Sequence, residues 1–161
     1  MNTASKIKPL AEALECIGDW QAAGEQIVFT NGVFDIVHLG HIDYLEKARE
    51  KGDRLVLGLN TDASVRCLGK GSNRPVVNEA ARARMVAAFQ FVDAVILFDE
   101  DTPEALIEAV KPDILVKGDD YTVQTIVGAD FVIARGGRVE TIPLVKGYST
   151  TALIQKIKES F

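Results

Sequence analysis

Short runs of consecutive apolar residues alternate along the chain with stretches in which apolar residues recur every three or four positions. The runs are rich in β-branched residues, which is typical of strands buried on both faces. They predict strands at 26–30, 54–60, 94–98, 113–118 and 138–144. The helical periodicity predicts helices at 8–21, 41–52, 79–91, 102–112, 124–134 and 149–160. This alternation predicts a Rossmann-like α/β fold, in which a doubly wound, parallel, five-stranded sheet carries helices on both faces.

The chain of 161 residues is long enough for a single domain with its own core. We expect a leading helix and its connection at 1–25, and the core of the fold at 26–158. The leading helix is apolar along one side, so it is expected to cover a sheet edge or to pair two copies of the chain. We therefore predict a homodimer.

Composition narrows the classes of partner. No run of about 18 apolar residues is present, so no membrane span or membrane partner is expected. The net charge of -5 does not favour binding to nucleic acid. The two cysteines, Cys16 and Cys67, form neither a C-x-x-C motif nor a disulfide framework, and a cytoplasmic location is expected. An anionic substrate would therefore need a local basic pocket.

Polar residues follow the predicted strands, at the ends where ligands bind in open α/β sheets. The segments concerned are "NGVFDIVHLGH", "NTDASVRCLGKGSNR", "DEDTP", "KGDDY" and "VKGYSTT". The stretch 61–78 is long and contains Gly69, Gly71 and Pro75, so it is predicted to be a functional loop. The sequence thus predicts a ligand site at the carboxyl edge of the sheet.

The only two histidines of the chain, His38 and His41, lie between the first strand and the next helix. Asn31-Gly32 predicts a tight turn, and a helix that begins near Gly40 offers free N–H groups and partial positive charge. Asp35 is expected to fix this turn by accepting backbone N–H bonds. The arrangement predicts an anion cradle with two ring donors. No metal site is predicted, because no cysteine or further histidine completes a ligand set.

"GVFDIVHLGHIDYL" resembles the H-x-G-H signature of the nucleotidyltransferase superfamily, in its cytidylyltransferase-like group, and "YSTTALI" matches a second signature element. The segments "FTNGVFDIVHLGH", "GLNTDASVRCLGKGSNRPV", "DTPEALIEAVKPDILVKGDDY" and "GYSTTALIQKI" resemble the branch that adenylylates D-glycero-D-manno-heptose 1-phosphate. The resemblance covers 26–158. It implies transfer of AMP from ATP to that sugar phosphate, giving ADP-heptose and pyrophosphate for lipopolysaccharide or surface-glycan precursors. In that branch the domain is sometimes fused to a sugar kinase, and this chain is expected to be the stand-alone form.

The resemblance, together with the residue types, assigns His38, His41 and Lys117 as catalytic groups. The residues assigned to the nucleotide and its phosphates are Thr30, Asn31, Gly32, Val33, Phe34, Gly40, Asn60, Asp62, Lys70, Arg74, Arg84, Ser149, Thr150 and Thr151. Those assigned to the sugar phosphate are Asp35, Asp120 and Tyr121. Mg²⁺ is expected on the ATP phosphates, held mainly by phosphate oxygens and water. The attacking phosphate is already anionic, so catalysis is expected to rest on positioning and charge stabilisation.

Three other functions are compatible with the pattern. One is a CTP-dependent cytidylyltransferase acting on glycerol 3-phosphate or a similar small phosphate, although "LGKGSNRPV" and "VKGDDY" favour the heptose branch. Another is a module that binds a nucleotide without turnover, against which the complete histidine pair and "STT" both argue. The last is a flavodoxin-like redox domain, which would carry bound flavin. Release of pyrophosphate discriminates the enzymes from the other two.

Overall fold

A computed structural model of the chain describes residues 2–69 and 71–161. Its centre is a five-stranded sheet in the order β3-β2-β1-β4-β5, and every neighbouring pair is parallel. The strands are β1 (Ile27–Gly32), β2 (Arg54–Asn60), β3 (Ala94–Phe98), β4 (Ile114–Gly118) and β5 (Arg138–Ile142). The predicted Rossmann-like fold is confirmed. The strand order reverses at β1 and β4, which is where such sheets bind ligands.

Seven α-helices surround the sheet in the described residues. They are α1 (Leu10–Ala22), α2 (Leu39–Arg49), α3 (Asp62–Cys67), α4 (Glu79–Ala87), α5 (Glu104–Val110), α6 (Ala129–Ala134) and α7 (Thr150–Ser160). Two short 3-10 helices lie at Thr3–Lys6 and Val123–Thr125. No helix of the described residues has the length and apolar character needed to cross a bilayer.

The core consists of two apolar layers, one on each face of the sheet. On one face α2 and α4 bury Leu45 and Val86 against Val28. On the other, α1, α5 and α6 cover Phe29. Successive side chains of β1 join opposite layers because side chains alternate along a strand. The same alternation decides on which face the polar residues at the end of β1 emerge.

The apolar side of the leading helix packs against the sheet of the same chain. Ala13 and Ile17 of α1 are fully buried in the same layer as α5. Ahead of α1, Ile7 forms a parallel bridge to Val95, and the Lys8 amide donates to the Val95 carbonyl at 3.0 Å. This segment therefore covers part of the outer edge of β3. The apolar side of α1 packs on its own sheet, so it no longer supports pairing of two copies.

β1 and β4 separate toward their carboxyl ends. They pair only at Val28–Ile114 and Phe29–Leu115, whereas β1 and β2 pair as far as Gly32. The buried Tyr44 of α2 fills the gap. Its hydroxyl lies 2.7 Å from the Thr30 hydroxyl and donates to the Val116 carbonyl at 3.1 Å. Tyr44 therefore anchors α2 across the point where the ladder ends.

The predictions for 61–78 and for 124–134 differ from the structure. The stretch 61–78 is not a loop throughout, because α3 occupies its first part with the Thr61 side chain as N-cap. A helix of six residues is too short to show a periodicity in the sequence. The helix predicted at 124–134 is interrupted at Gly128, which has a φ of +83°. A Cβ there would lie 2.7 Å from Ile107, so packing as well as backbone angle favours glycine.

Candidate functional site

A cleft of about 780 Å³ lies at the carboxyl edge of the sheet, between the ends of β1 and β4 and the starts of α2 and α7. It brings together most of the residues predicted from the sequence. Those lining it are Asn31, Gly32, Val33, Phe34, Asp35, His38, Gly40, His41, Asn60, Arg74, Lys117, Asp120, Tyr121, Ser149, Thr150 and Thr151. The three predicted catalytic side chains therefore share one cavity.

The turn after β1 is built differently from the expectation. β1 continues through Gly32, and the left-handed residue is Phe34, with a φ of +48°. A non-glycine residue in this region is uncommon and is held there by its surroundings. A Cβ on Gly32 would lie 2.7 Å from the Phe34 ring. Gly32 is thus needed for the close approach of that ring.

The two histidine rings are stacked. Their centroids lie 3.8 Å apart with an interplanar angle of 20°. The His38 amide donates to Nδ1 of His41 at 3.4 Å, so a neutral His41 carries its proton on Nε2. Burial lowers the pKa of His38 below its ordinary value. Burial therefore favours the neutral form of the His38 ring, and the pair offers ring N–H donors to the cleft.

Two helix N-termini meet at this turn. Thr150, the first residue of α7, donates its hydroxyl to the Ile36 carbonyl at 3.4 Å. Ser149 caps α7 by accepting the Ala152 amide at 3.0 Å. A Cβ on Gly40 would lie 3.0 Å from the His38 ring and 3.4 Å from Cβ of Tyr148, so the two helix starts approach closely. Both bring partial positive charge to the cleft.

Lys117 lies at the end of β4, beside the gap that opens toward β1. Its Nζ donates to the Asn31 carbonyl at 3.3 Å and lies 5.5 Å from the centroid of the Tyr121 ring. These contacts hold the ammonium group in the cleft. The group adds a cation to the positive ends of the two helices, so an anion is favoured there in spite of the net charge of the chain.

Asp35 connects the turn to the segment before α4. It is 1% exposed, and it accepts the guanidinium Nε of Arg74 at 2.5 Å and the amides of Val76 and Val77 at 3.0 and 2.8 Å. Burial acts to raise the pKa of Asp35, but these three donors outweigh it and hold the pKa below its ordinary value. The predicted N–H bonds thus come from a distant segment. The charge of Arg74 is paired inside the protein.

Arg82 is a buried residue that supports the cleft and that sequence reasoning missed. It is fully buried, and Nη1 donates to the carbonyls of Val33 and Asn60 at 2.7 and 2.8 Å. Nη2 pairs with Asp62 at 2.7 Å, and Nε donates to the Val77 carbonyl at 2.9 Å. One guanidinium therefore joins three segments beneath the cleft. Arg82 lies four positions before the buried Val86, and Arg84 lies three positions before the buried Ala87, so helical spacing alone does not mark Arg82 as the inward-facing arginine.

The model of the cytidylyltransferase-like family matches residues 29–156, which include every residue that lines the cleft. The chain belongs to the cytidylyltransferase-like family. The family expected from the H-x-G-H resemblance is thus confirmed.

Several curated relatives are identical to this chain at about half of the matched positions. The bifunctional protein HldE of Citrifermentans bemidjiense is 54% identical over 157 residues, which are 98% of this chain and 32% of that protein. The HldE of Syntrophotalea carbinolica is 56% identical over 138 residues, 86% of this chain and 28% of that protein. The chain therefore spans about a third of the length of these relatives.

Solved structures agree with this placement. A lipopolysaccharide core biosynthesis protein from Thermoplasma volcanium is 32% identical, with a TM-score of 0.62 over 78% of this chain and all of that one. A pantoate-beta-alanine ligase from Francisella tularensis has a TM-score of 0.59 at 15% identity, over 94% of this chain and 76% of that one. The second likeness shows a shared fold alone.

Three predicted contact residues do not line the cleft. Thr30 lies beneath it, bonded to Tyr44, and Asp62 is paired with Arg82. Arg84 is exposed and donates to the Thr3 hydroxyl at 2.8 Å, so the expectation that it faces the cleft is not met. The inward side of α4 at this level is occupied by Arg82. The assignment of Lys70 lies outside the described residues.

Further residues line the cleft that were not singled out from the sequence. They are Tyr44, Leu68, Asp101, Thr102, Pro103, Gly118, Thr125, Ile126, Val127, Leu144, Val145 and Tyr148. Most of them lie in connections, where no periodicity marks a residue as inward-facing. The described residues contain no group of three histidine, cysteine or acidic side chains that could hold a metal ion.

Proposed function

We propose that this domain transfers AMP from ATP to D-glycero-D-manno-heptose 1-phosphate, giving ADP-heptose and pyrophosphate. The observation that carries the proposal is the stacked pair His38 and His41 in one cleft with Lys117 and the start of α7. Similarity to HldE proteins and to a lipopolysaccharide core biosynthesis protein supports a sugar of surface glycans as acceptor.

The reaction needs no base within the protein. An anionic oxygen of the sugar phosphate bonds to the α-phosphorus of ATP, and the bond from that phosphorus to the bridging oxygen breaks. The electron pair leaves with pyrophosphate. Charge on the phosphate oxygens grows in the transition state, and positioned donors stabilise it. In this proposal His38 and His41 are those donors, with Lys117 and the N–H groups of Ser149 to Thr151 holding phosphates.

Mg²⁺ is proposed as the cofactor. The cleft has carboxylates at Asp101 and Asp120, but the described residues form no three-ligand cluster. In this proposal the ion is held mainly by the nucleotide's own oxygens and water. When bound, Mg²⁺ would neutralise charge on the phosphates, which is the chemistry the protein's own cations share.

The homodimer and the cytoplasmic location remain predictions. The homodimer now draws support from α7, which buries none of its residues and leaves Ile157 55% exposed. The two free cysteines, Cys16 and Cys67, support a reducing compartment. Sedimentation analysis of the purified chain measures directly whether it is a homodimer.

The test is pyrophosphate release with Mg²⁺, crossing ATP, CTP, GTP and UTP with heptose 1-phosphate, glycerol 3-phosphate and phosphocholine. The proposal expects release with ATP and heptose 1-phosphate only. Release with CTP and a small polyol phosphate would replace it with the cytidylyltransferase alternative. Absence of release with every pair would contradict the proposed reaction and leave a nucleotide-binding module.

A further inference from the structure

Asn31, the penultimate residue of β1, has a side-chain oxygen that is buried and lacks a hydrogen-bond partner. Among the described residues, one other buried side-chain atom also lacks a hydrogen-bond partner, and it is Nδ1 of His38. Asn31 and His38 both line the cleft. Buried polar groups without partners are rare in folded proteins because each costs free energy. Their location indicates that a ligand supplies the missing partners.

The two unpaired atoms lie in different halves of the cleft. Asn31 follows Phe29 by two positions, so its side chain emerges on the face of the sheet covered by α5. The surroundings of Gly58 confirm that Asn31 points to this face. A Cβ on Gly58 would lie 3.2 Å from Cβ of Asn31 and 3.1 Å from Leu106 of α5, so these two side chains are on the same side of the sheet. His38 belongs to the start of α2, on the opposite face.

Lys117 lies in the same half as Asn31. It follows Leu115 of the α5-side layer by two positions, and its Nζ donates to the Asn31 carbonyl at 3.3 Å. One half of the cleft thus combines the two helix N-termini with the histidine pair. The other combines an ammonium group with an unsatisfied amide oxygen.

The chemistry of the amide oxygen restricts its partner. Oδ1 is an acceptor, so a phosphate oxygen without a proton cannot satisfy it, whereas a hydroxyl can. A hydroxyl also accepts, so it can pair with the amide nitrogen as well. A ligand that places a phosphate near Lys117 and a hydroxyl near Asn31 is a phosphorylated polyol or sugar, a class that also includes the ribose phosphate of ATP. Because the helix N-termini and the histidine pair of the other half suit the nucleotide phosphates, the half with Asn31 is left for the acceptor.

We propose that the Asn31 side chain accepts a hydrogen bond from a hydroxyl of the acceptor sugar, with the phosphate of that sugar beside Lys117. Asn31 is then a residue that determines acceptor specificity. The inference rests on the proposed function, and it adds which half of the cleft takes the acceptor. The nucleotide phosphates occupy the half with the helix starts.

The test is the variant Asn31→Leu, which keeps the branched shape of the side chain and removes the hydrogen bond. Loss of a hydroxyl contact in a site built for it is expected to raise KM for the sugar phosphate by about 10- to 100-fold. KM for ATP is expected to stay within about threefold, because the nucleotide lies in the other half. The ligand-free variant is expected to melt no lower than the wild type, since it removes an unpaired buried oxygen.

The matched control is Asn78→Leu, at an asparagine outside the cleft whose Oδ1 accepts the Ala81 amide at 2.9 Å as the cap of α4. This control is expected to lower the melting temperature and to leave both KM values unchanged. It separates loss of stability from loss of recognition.

Three outcomes would overturn the inference. An unchanged KM for the sugar phosphate would remove Asn31 from acceptor recognition, and a raised KM for ATP alone would place it on the nucleotide. A large fall in the melting temperature of ligand-free Asn31→Leu would show a structural role. Failure of the proposed function is distinct, because the wild type itself would then not use heptose 1-phosphate. The same comparison is then made with the acceptor that the wild type does use, or by calorimetric binding of heptose 1-phosphate if it turns over none.

Discussion

The chemistry of the cleft depends on two rings that act as neighbours. At a centroid distance of 3.8 Å, two imidazolium charges would repel each other, and burial already disfavours the charged form of His38. Neutral rings still donate from nitrogen. Neutral rings can therefore stabilise the charge that develops on the α-phosphate, and in the empty site they do not repel each other as two imidazolium ions would.

Replacement of His41 by alanine removes one of these donors. If His41 stabilises the transition state, His41→Ala is expected to lower kcat by about 10²- to 10³-fold. Circular dichroism and the melting temperature should stay close to those of the wild type, because the ring is only partly buried. Steady-state kinetics measures this, and an unchanged kcat in a folded variant would contradict the assignment.

The lowered pKa of His38 predicts how stability changes with pH. Below its ordinary pKa of 6.5 the unfolded chain takes up a proton that the folded chain resists, so the free energy of unfolding falls on acidification. The shifted carboxylates Glu25, Asp35 and Glu140 titrate lower, with ordinary values of 4.5, 3.8 and 4.5. The loss between pH 6.5 and 4.5 therefore belongs largely to His38.

His38→Gln is expected to reduce that loss, because glutamine does not titrate. Urea unfolding of both proteins at about pH 7.5, 6 and 5 measures the slope in this window. The wild type should lose more stability than the variant as pH falls. Equal slopes would show that burial does not resist protonation of His38.

At the scale of elements, the site exists because two strands part and side chains replace the missing ladder. Tyr44 bonds to Thr30 and Val116 across the gap between β1 and β4, while Lys117 reaches the Asn31 carbonyl. The same gap opens the cleft. The residues that form the floor of the cleft thus also hold α2 in place.

Arg82 performs the corresponding task for the segments around α4. Arg82→Met leaves Asp62 and several carbonyls without their partner, so the free energy of unfolding is expected to fall by about 3–5 kcal/mol. Arg84→Met, two residues along the same helix and exposed, should change it by less than about 0.5 kcal/mol. Urea unfolding of the pair measures the difference. Similar values for both would mean that the buried guanidinium network contributes little.

At the scale of the whole molecule, the sheet could be predicted because β1 to β4 each contain an uninterrupted apolar run, while β5 alternates apolar and polar residues. β2 and β3 match the predicted bounds of 54–60 and 94–98 residue for residue. α3 could not be predicted, because it is held by its cap and by contacts of the fold. Strand order, and with it the gap between β1 and β4, is a property of packing that no local pattern contains.

The candidate site, like the fold, could be predicted only in part from the sequence. His38, His41 and Lys117 could be located from a motif and a strand end, and the structure places them in one cleft. The partners of Asp35 could not, because Arg74, Val76 and Val77 lie about 40 residues along the chain. Arg84 was assigned to the cleft and Arg82 was not, since a sequence does not show which of two nearby arginines turns inward.

The measurement that tests the central claim most directly is the initial rate of pyrophosphate release with ATP, Mg²⁺ and D-glycero-D-manno-heptose 1-phosphate, compared with the rate when the sugar phosphate is left out. We predict release that depends on the sugar phosphate and is matched mole for mole by ADP-heptose. Pyrophosphate formation that does not depend on the sugar phosphate, or none at all, would contradict the account.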